Sequence, residues 1–351
     1  MRIAVLGAGG FLGSHLVPAL LARTEAEIDA VDVTFGKLAP TGDRVRRVQA
    51  RLDRPGLVDE ITGACEVVVS LTAICNPAVY NRDPLAVIDA SYTDLVPLVK
   101  ACAERRRWLV HFSTCEVYGR LALDTEGRPS ERMHEDATGL FLGPVDKERW
   151  SYACAKQLLE RVIYAHGAHA GLPFTIVRPF NVIGPRMDWL PDVDGEGVPR
   201  VLAAFMGALL RGQPLPLVDG GEQRRCFISV EDFVGGVLRI LERPQACQGQ
   251  ILNLGNPAND VSIRVLAELL RQTYALVVPG APVPGVVEVS AEELYGPGYD
   301  DSRERIPDIE KAERLTGWRP TTSLAAMLPA IVEDYVARYA PLLQRGQAAA
   351  R

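Results

Sequence analysis

Short apolar runs bounded by turns recur through the first half of the chain. Residues 2–6 (RIAVL), 28–32 (IDAVD), 67–71 (VVVSL), 109–113 (LVHFS) and 174–178 (FTIVR) read as strands, with segments of helical or mixed character between them. Runs that stay apolar at successive positions belong to strands covered on both faces. Strands joined by helical crossovers form a parallel, doubly wound sheet, so the pattern predicts an α/β fold. A long helix is expected over 147–168, just before the last of these strands. The second half is less regular, because Gly- and Pro-rich stretches at 191–199, 212–221, 279–285 and 296–298 interrupt a few helices and short strands. Loops of that kind carry binding groups on a scaffold supplied elsewhere. The expected organisation is a sheet domain over 1–181 with returns from about 225–255, a smaller α/β ligand-binding part over 182–342, and a frayed, Ala-rich tail over 343–351.

Composition narrows the partners. The 351 residues are 48% hydrophobic and 23% charged, enough for a sizeable core. A net charge of −6, from 38 Lys+Arg against 44 Asp+Glu, argues against a generic grip on nucleic acid or on an anionic membrane. No apolar run approaches the ~18 residues that span a bilayer. Met1–Gly10 enters a strand-and-turn pattern directly, without the layout of a signal peptide, and a cytoplasmic protein is expected. The seven cysteines (65, 75, 102, 115, 154, 226 and 247) form no C-x-x-C pair, and the five histidines form no H-E-x-x-H. Reduced thiols are expected, with neither a disulfide scaffold nor a zinc site.

The first chemical signal is Gly7-Ala-Gly-Gly-Phe-Leu-Gly13, placed after a strand and opening a helix with Leu12, Leu16 and Leu20 on one face. Gly7, Gly10 and Gly13 permit a tight turn and close backbone approach, and the helix N-terminus then faces a pyrophosphate. Asp32 ends the next strand at about the 20-residue offset such sites use. Its carboxylate suits the ribose hydroxyls of NAD and would repel the 2′-phosphate of NADP, and no arginine follows immediately. The pattern therefore predicts a Rossmann-type sheet that binds NAD.

The second signal is Tyr152-Ala-Cys-Ala-Lys156, where i,i+4 spacing puts tyrosine and lysine on one helix face. A free tyrosine has a pKa of ~10 and is a poor base at neutral pH. A neighbouring ammonium and an oxidised nicotinamide both favour the phenolate, tuning it toward proton abstraction from a sugar hydroxyl.

Together with Phe112-Ser-Thr-Cys-Glu-Val-Tyr-Gly119, Arg149-Trp-Ser-Tyr-Ala-Cys-Ala-Lys156, Arg178-Pro-Phe-Asn181, Gly184-Pro-Arg-Met-Asp188, Val218-Asp-Gly-Gly-Glu-Gln-Arg-Arg225 and Gly298-Tyr-Asp-Asp-Ser-Arg-Glu-Arg305, these segments carry a resemblance over about residues 1–340. The chain resembles the extended short-chain dehydrogenase/reductases that act on nucleotide sugars. Within them it is similar to the UDP-apiose/UDP-xylose synthases, with the UDP-glucuronate decarboxylases of polymyxin resistance a step further away. The resemblance implies UDP-glucuronate as substrate, NAD as cofactor and a homodimer formed through 83–103 and the Tyr152 helix.

It also implies residue roles. Tyr152 takes the C4 hydroxyl proton while hydride passes to NAD, and the resulting C4 ketone, β to the carboxylate, lets CO2 leave. Lys156 meets the nicotinamide ribose, and Phe11, Leu12, Leu71 and Arg178 complete the cofactor contacts. Glu116 acts as acid/base beside the sugar ring, and Arg305 meets the substrate carboxylate or the enolate. Arg149, Asp301, Tyr80 and Tyr299 line the sugar pocket, while Asn181, Arg200 and Arg225 hold the diphosphate and uridine. Cys75 and Cys115 match cysteines of the synthases, whose further step is cleavage of C2–C3 and ring contraction to apiose; a thiol can exchange protons with the ring-opened species.

Two departures touch substrate preference. Pro216 stands where relatives often carry a lysine, and Tyr92 where most of the superfamily places an asparagine. Two alternatives stay open at this level: a decarboxylase that stops at UDP-xylose or the 4-keto pentose, and a non-catalytic NAD-binding redox sensor.

Overall fold

A computed structural model describes all residues except 76, 81, 121, 122, 125, 129, 196–198, 296–299, 301, 350 and 351, and omits the side chains of 77, 78, 295 and 345–349. Among the described residues, seven strands form one parallel sheet: β1 (Arg2–Leu6), β2 (Glu27–Asp32), β3 (Val45–Gln49), β4 (Val67–Ser70), β5 (Trp108–Phe112), β6 (Phe174–Pro179) and β7 (Gln250–Leu254). Their order across the sheet is β7-β6-β5-β4-β1-β2-β3. The direction reversal between β1 and β4 opens a crevice at the carboxyl ends of the strands, where such sheets bind ligands.

Alternation within each strand divides two cores. Ile3 and Val5, Val67 and Val69, and Val110 and Phe112 face one side, and Ala4 and Leu6, Val68, and Leu109 face the other. The first face is covered by α1 (Phe11–Arg23), with Leu16, Val17 and Leu20 buried, and by the helix Val230–Leu241. The second is covered by α2 (Val96–Arg105) and α3 (Ser151–Ala170), whose Lys156, Leu159 and Ile163 form a stripe at helical spacing.

The five strands read from the sequence are all present, with ends shifted by one residue at most. Two strands lacked a clear signal. β3 alternates Val with Arg (VRRVQ) because it lies at the sheet edge, and β7 arrives late in the chain as a return to the sheet. A third core lies beyond the crevice, built from α4 (Val201–Arg211), α5 (Ile263–Val277) and α6 (Leu324–Ala349). The last of these helices runs through most of the stretch expected to be a tail. The two parts are joined where Val182–Ile183 pairs with Ile228–Ser229.

Candidate active site

The crevice is one cavity of about 1180 Å³ that runs from the glycine turn to the third core. At its sheet end Gly7 takes a φ of +83°, which favours glycine. A Cβ on Gly13 would come 2.3 Å from Gly7 O, so the first turn of α1 packs directly on the strand–helix turn. Gly9, not singled out from the sequence, is equally constrained, since its Cβ would lie 1.8 Å from Thr34 O. Gly10 meets only Gly7 O at 3.4 Å and lines the cavity, so a side chain there would occupy the binding space itself. Asp32 Oδ2 accepts the Gly9 N–H at 2.9 Å, and Oδ1 accepts those of Val33 and Thr34. Phe11, Leu12 and Leu71 line the cavity as expected. Arg178 does not. It forms a buried, two-pronged pair with Glu160 (3.0 and 2.6 Å) and lies 4.7 Å over the Tyr118 ring, on the core side of the sheet.

Tyr152 and Lys156 reach the middle of the cavity from the first turns of α3. The Tyr152 ring stacks on Tyr80 with centroids 4.9 Å apart, and its hydroxyl lies 3.3 Å from Cys75 Sγ. Burial pushes this phenol well above its ordinary range, and nearby Cys75 and Tyr80 push the same way. The Lys156 ammonium donates to Phe112 O at 3.0 Å, and burial lowers its own pKa to about 8 against the pull of Cys75 and Glu160.

Glu116 sits in a short turn (Cys115–Tyr118) capped by Thr114, whose Oγ1 accepts the Glu116 N–H. Arg149 grips its carboxylate with both terminal nitrogens, and Arg305 Nη1 lies 3.4 Å from Oε1. Arg149 also lies 5.3 Å over the Tyr80 ring. Glu116 and the two guanidiniums thus form a nearly buried charged cluster beside Tyr152, whose arginines suit an anionic sugar. Cys115 is buried at its edge, where burial raises the thiol pKa and Arg305 opposes that rise. Ser113 Oγ, on the cavity wall, is buried and has no partner among the described residues.

Farther along, Asn181 lines the cavity with a φ of +37° and donates to Cys226 O. Arg225 holds the 302–303 backbone through Ser302 O (3.0 Å) and Arg303 O (3.2 Å). Arg200 is tied to Asp188 (3.1 Å) and to Met187 O (3.2 Å). Lys37 was not expected here, yet its Nζ donates to the same Met187 O at 2.9 Å, and burial lowers its pKa to about 8. The turn after β2 thus meets the 184–188 segment, a contact with no local sequence signal. Tyr299 and Asp301 lie outside the described residues.

Residues 3–255 match the NAD dependent epimerase/dehydratase family. The chain belongs to this family. UDP-D-apiose/UDP-D-xylose synthase 1 of Arabidopsis thaliana is 43% identical over 364 aligned residues, covering 98% of this chain and 94% of that one. The corresponding synthase of Oryza sativa subsp. japonica is 44% identical over 347 residues, covering 93% and 87%. Among solved structures, the PbgP3 protein of Burkholderia pseudomallei superposes with a TM-score of 0.83 at 32% identity, covering 97% of each chain.

As an epimerase/dehydratase family member the chain takes NAD, and its residues fit that cofactor. The N-terminus of α1 carries no side-chain cap and opens on the cavity at Gly10, leaving its N–H groups for a pyrophosphate. Asp32 is already aimed by three backbone donors at the end of β2.

Proposed function

We propose that this epimerase/dehydratase family member converts UDP-glucuronate into UDP-apiose and UDP-xylose. The observation that carries the reading is the pairing of Cys75 Sγ with Tyr152 Oη at 3.3 Å, beside a Glu116 carboxylate bracketed by two arginines. A decarboxylase that only makes a pentose has no evident need for a thiol on its catalytic phenol.

Gly7, Gly10, Gly13 and Asp32 hold NAD, which when bound supplies a reversible hydride acceptor. The phenol, held protonated by burial, first orients the C4 oxygen of the sugar. Accepting the C4 proton requires the phenol to lose its own proton to solvent first, leaving a phenolate that can accept a hydrogen bond from the Cys75 thiol 3.3 Å away. A C4 ketone is β to the C6 carboxylate, so the C5–C6 bond breaks and its electrons pass into an enolate. Arg305 and Arg149 offset that charge where Glu116 alone would repel it. Glu116 then protonates or deprotonates the ring carbons. For apiose the C2–C3 bond opens by retro-aldol cleavage, and Cys75 and Cys115, both lining the cavity, exchange protons with the open chain. Asn181, Arg200 and Arg225 anchor the diphosphate and uridine.

No helix among the described residues is long and apolar enough to cross a membrane. All seven cysteines are free, which supports a reducing, cytoplasmic setting. A homodimer is supported by apolar residues left exposed on two neighbouring helices, Leu85 at 72% and Leu158 at 45%.

The test is release of labelled CO2 from UDP-glucuronate carrying ¹³C at C6, in the presence of NAD. Release is expected, with none from UDP-galacturonate at the same concentration; absence of release from UDP-glucuronate removes the reading.

A further inference from the structure

A surplus of donors and a surplus of acceptors lie back to back behind the catalytic lysine. Lys156 Nζ is buried and carries three N–H groups, of which one goes to Phe112 O. On the sheet beneath it, His111 Nε2 and Ser70 Oγ are both buried without a partner among the described residues. Such atoms are rare in native folds and point to a missing hydrogen-bonding molecule.

Register brings these groups together. Ser70 on β4 is paired with His111 on β5, so the two side chains stand next to each other on one face. That face is the one carrying α3, because Leu6 opposite Ser70 and Ile176 opposite His111 both belong to the core formed with Leu159 and Ile163. The Phe112 carbonyl that receives Lys156 belongs to the residue after His111, which sets the ammonium over this end of β5.

We propose that His111 Nε2 and Ser70 Oγ bind one internal water molecule that accepts a hydrogen bond from Lys156 Nζ, making His111 a positioning residue for the catalytic lysine. The water takes one N–H of the ammonium and donates to the imidazole and the hydroxyl, which gives His111 Nε2 and Ser70 Oγ a partner each and the ammonium a second one. The imidazole stays neutral, since burial and the nearby Lys156 charge both lower its pKa, and it remains an acceptor. The other titratable groups acting on Lys156 are Cys75, from the segment after β4, and Glu160 on its own helix, which is paired with Arg178 of β6. None of these lies on β4 or β5, the strands that carry Ser70 and His111.

An acceptor behind the ammonium stabilises its charged form, so removing it lowers the lysine pKa. The proposal rests on the proposed function only for its catalytic meaning, and its test needs no substrate. Lysine labelled with ¹³C at Cε is titrated by NMR in the NAD-bound protein, with Lys156→Arg to assign the signal. In His111→Phe the Lys156 midpoint is expected to fall by about one pH unit, whereas His111→Asn, which keeps an acceptor, stays near wild type. Should His111→Phe fail to fold, Ser70→Ala is expected to shift the midpoint in the same direction by a smaller amount. An unmoved midpoint in the folded variants overturns the proposal. So does a crystal structure with no water within hydrogen-bond distance of both His111 Nε2 and Lys156 Nζ. Absent CO2 release with a shifted midpoint would instead count against the substrate.

Discussion

In the proposed reaction the chemistry turns on Tyr152, and its surroundings favour the protonated phenol. The Tyr80 ring against it, the Cys75 thiol at 3.3 Å and full burial keep its proton in place until substrate arrives. Tyr152→Phe is expected to lower kcat for CO2 release by about 10²–10⁴-fold, the range of a lost acid–base group, while UDP-glucuronate still binds by calorimetry. Cys75→Ser keeps a hydroxyl at the same place but removes the softer, more acidic thiol. It should leave CO2 release within about tenfold of wild type and move the products toward UDP-xylose, as read by NMR. The meeting of Tyr152, Lys156 and Glu116 in one cavity was legible, because helix spacing and neighbouring residues mark them in the sequence. The Tyr80 stack, the Lys37–Met187 contact and the partnering of Arg178 were not, because each depends on elements that meet only in the folded chain.

At the scale of elements, the strand–turn–helix unit makes the cofactor end rigid through close backbone approach. Gly9→Ala would place a Cβ 1.8 Å from Thr34 O, so the turn must shift and drag the Asp32 hydrogen bond with it. Calorimetry should show NAD affinity falling by at least about tenfold, since the donors of a preformed anion site are displaced. Arg178→Met tests the opposite case. Breaking a buried ion pair leaves Glu160 uncompensated and costs about 3–5 kcal/mol of stability. Urea unfolding is expected to show that loss while NAD affinity stays at the wild-type value. The glycine spacing announced the turn from the sequence, but Gly9 escaped notice because only the returning 34–35 backbone forbids it a side chain. The first-half strands were legible from their unbroken apolar runs. β3 was hidden by its exposed arginines, and the strand pairs of the second half were too short to leave a period.

The whole molecule joins the seven-strand sheet to a second lobe across one cavity, with Lys37, Met187 and Arg200 at the seam. Half-buried Lys37 has a pKa of about 8 in the fold against 10.5 for an ordinary lysine. Between those values the unfolded chain holds more protons than the native one, so this group's contribution to stability rises with pH. Relative to Lys37→Met, wild type should gain stability from about pH 8 upward in urea titrations. Assembly is testable by sedimentation: the wild-type chain is expected to be dimeric, and Leu158→Arg to shift it toward monomer. The central claim is the reaction itself, and ¹H and ¹³C NMR of the products from UDP-glucuronate with catalytic NAD tests it most directly. The account predicts UDP-apiose, or its cyclic phosphate breakdown product, alongside UDP-xylose. UDP-xylose or the 4-keto pentose alone would contradict it and leave Cys75 and Cys115 without a part in the chemistry.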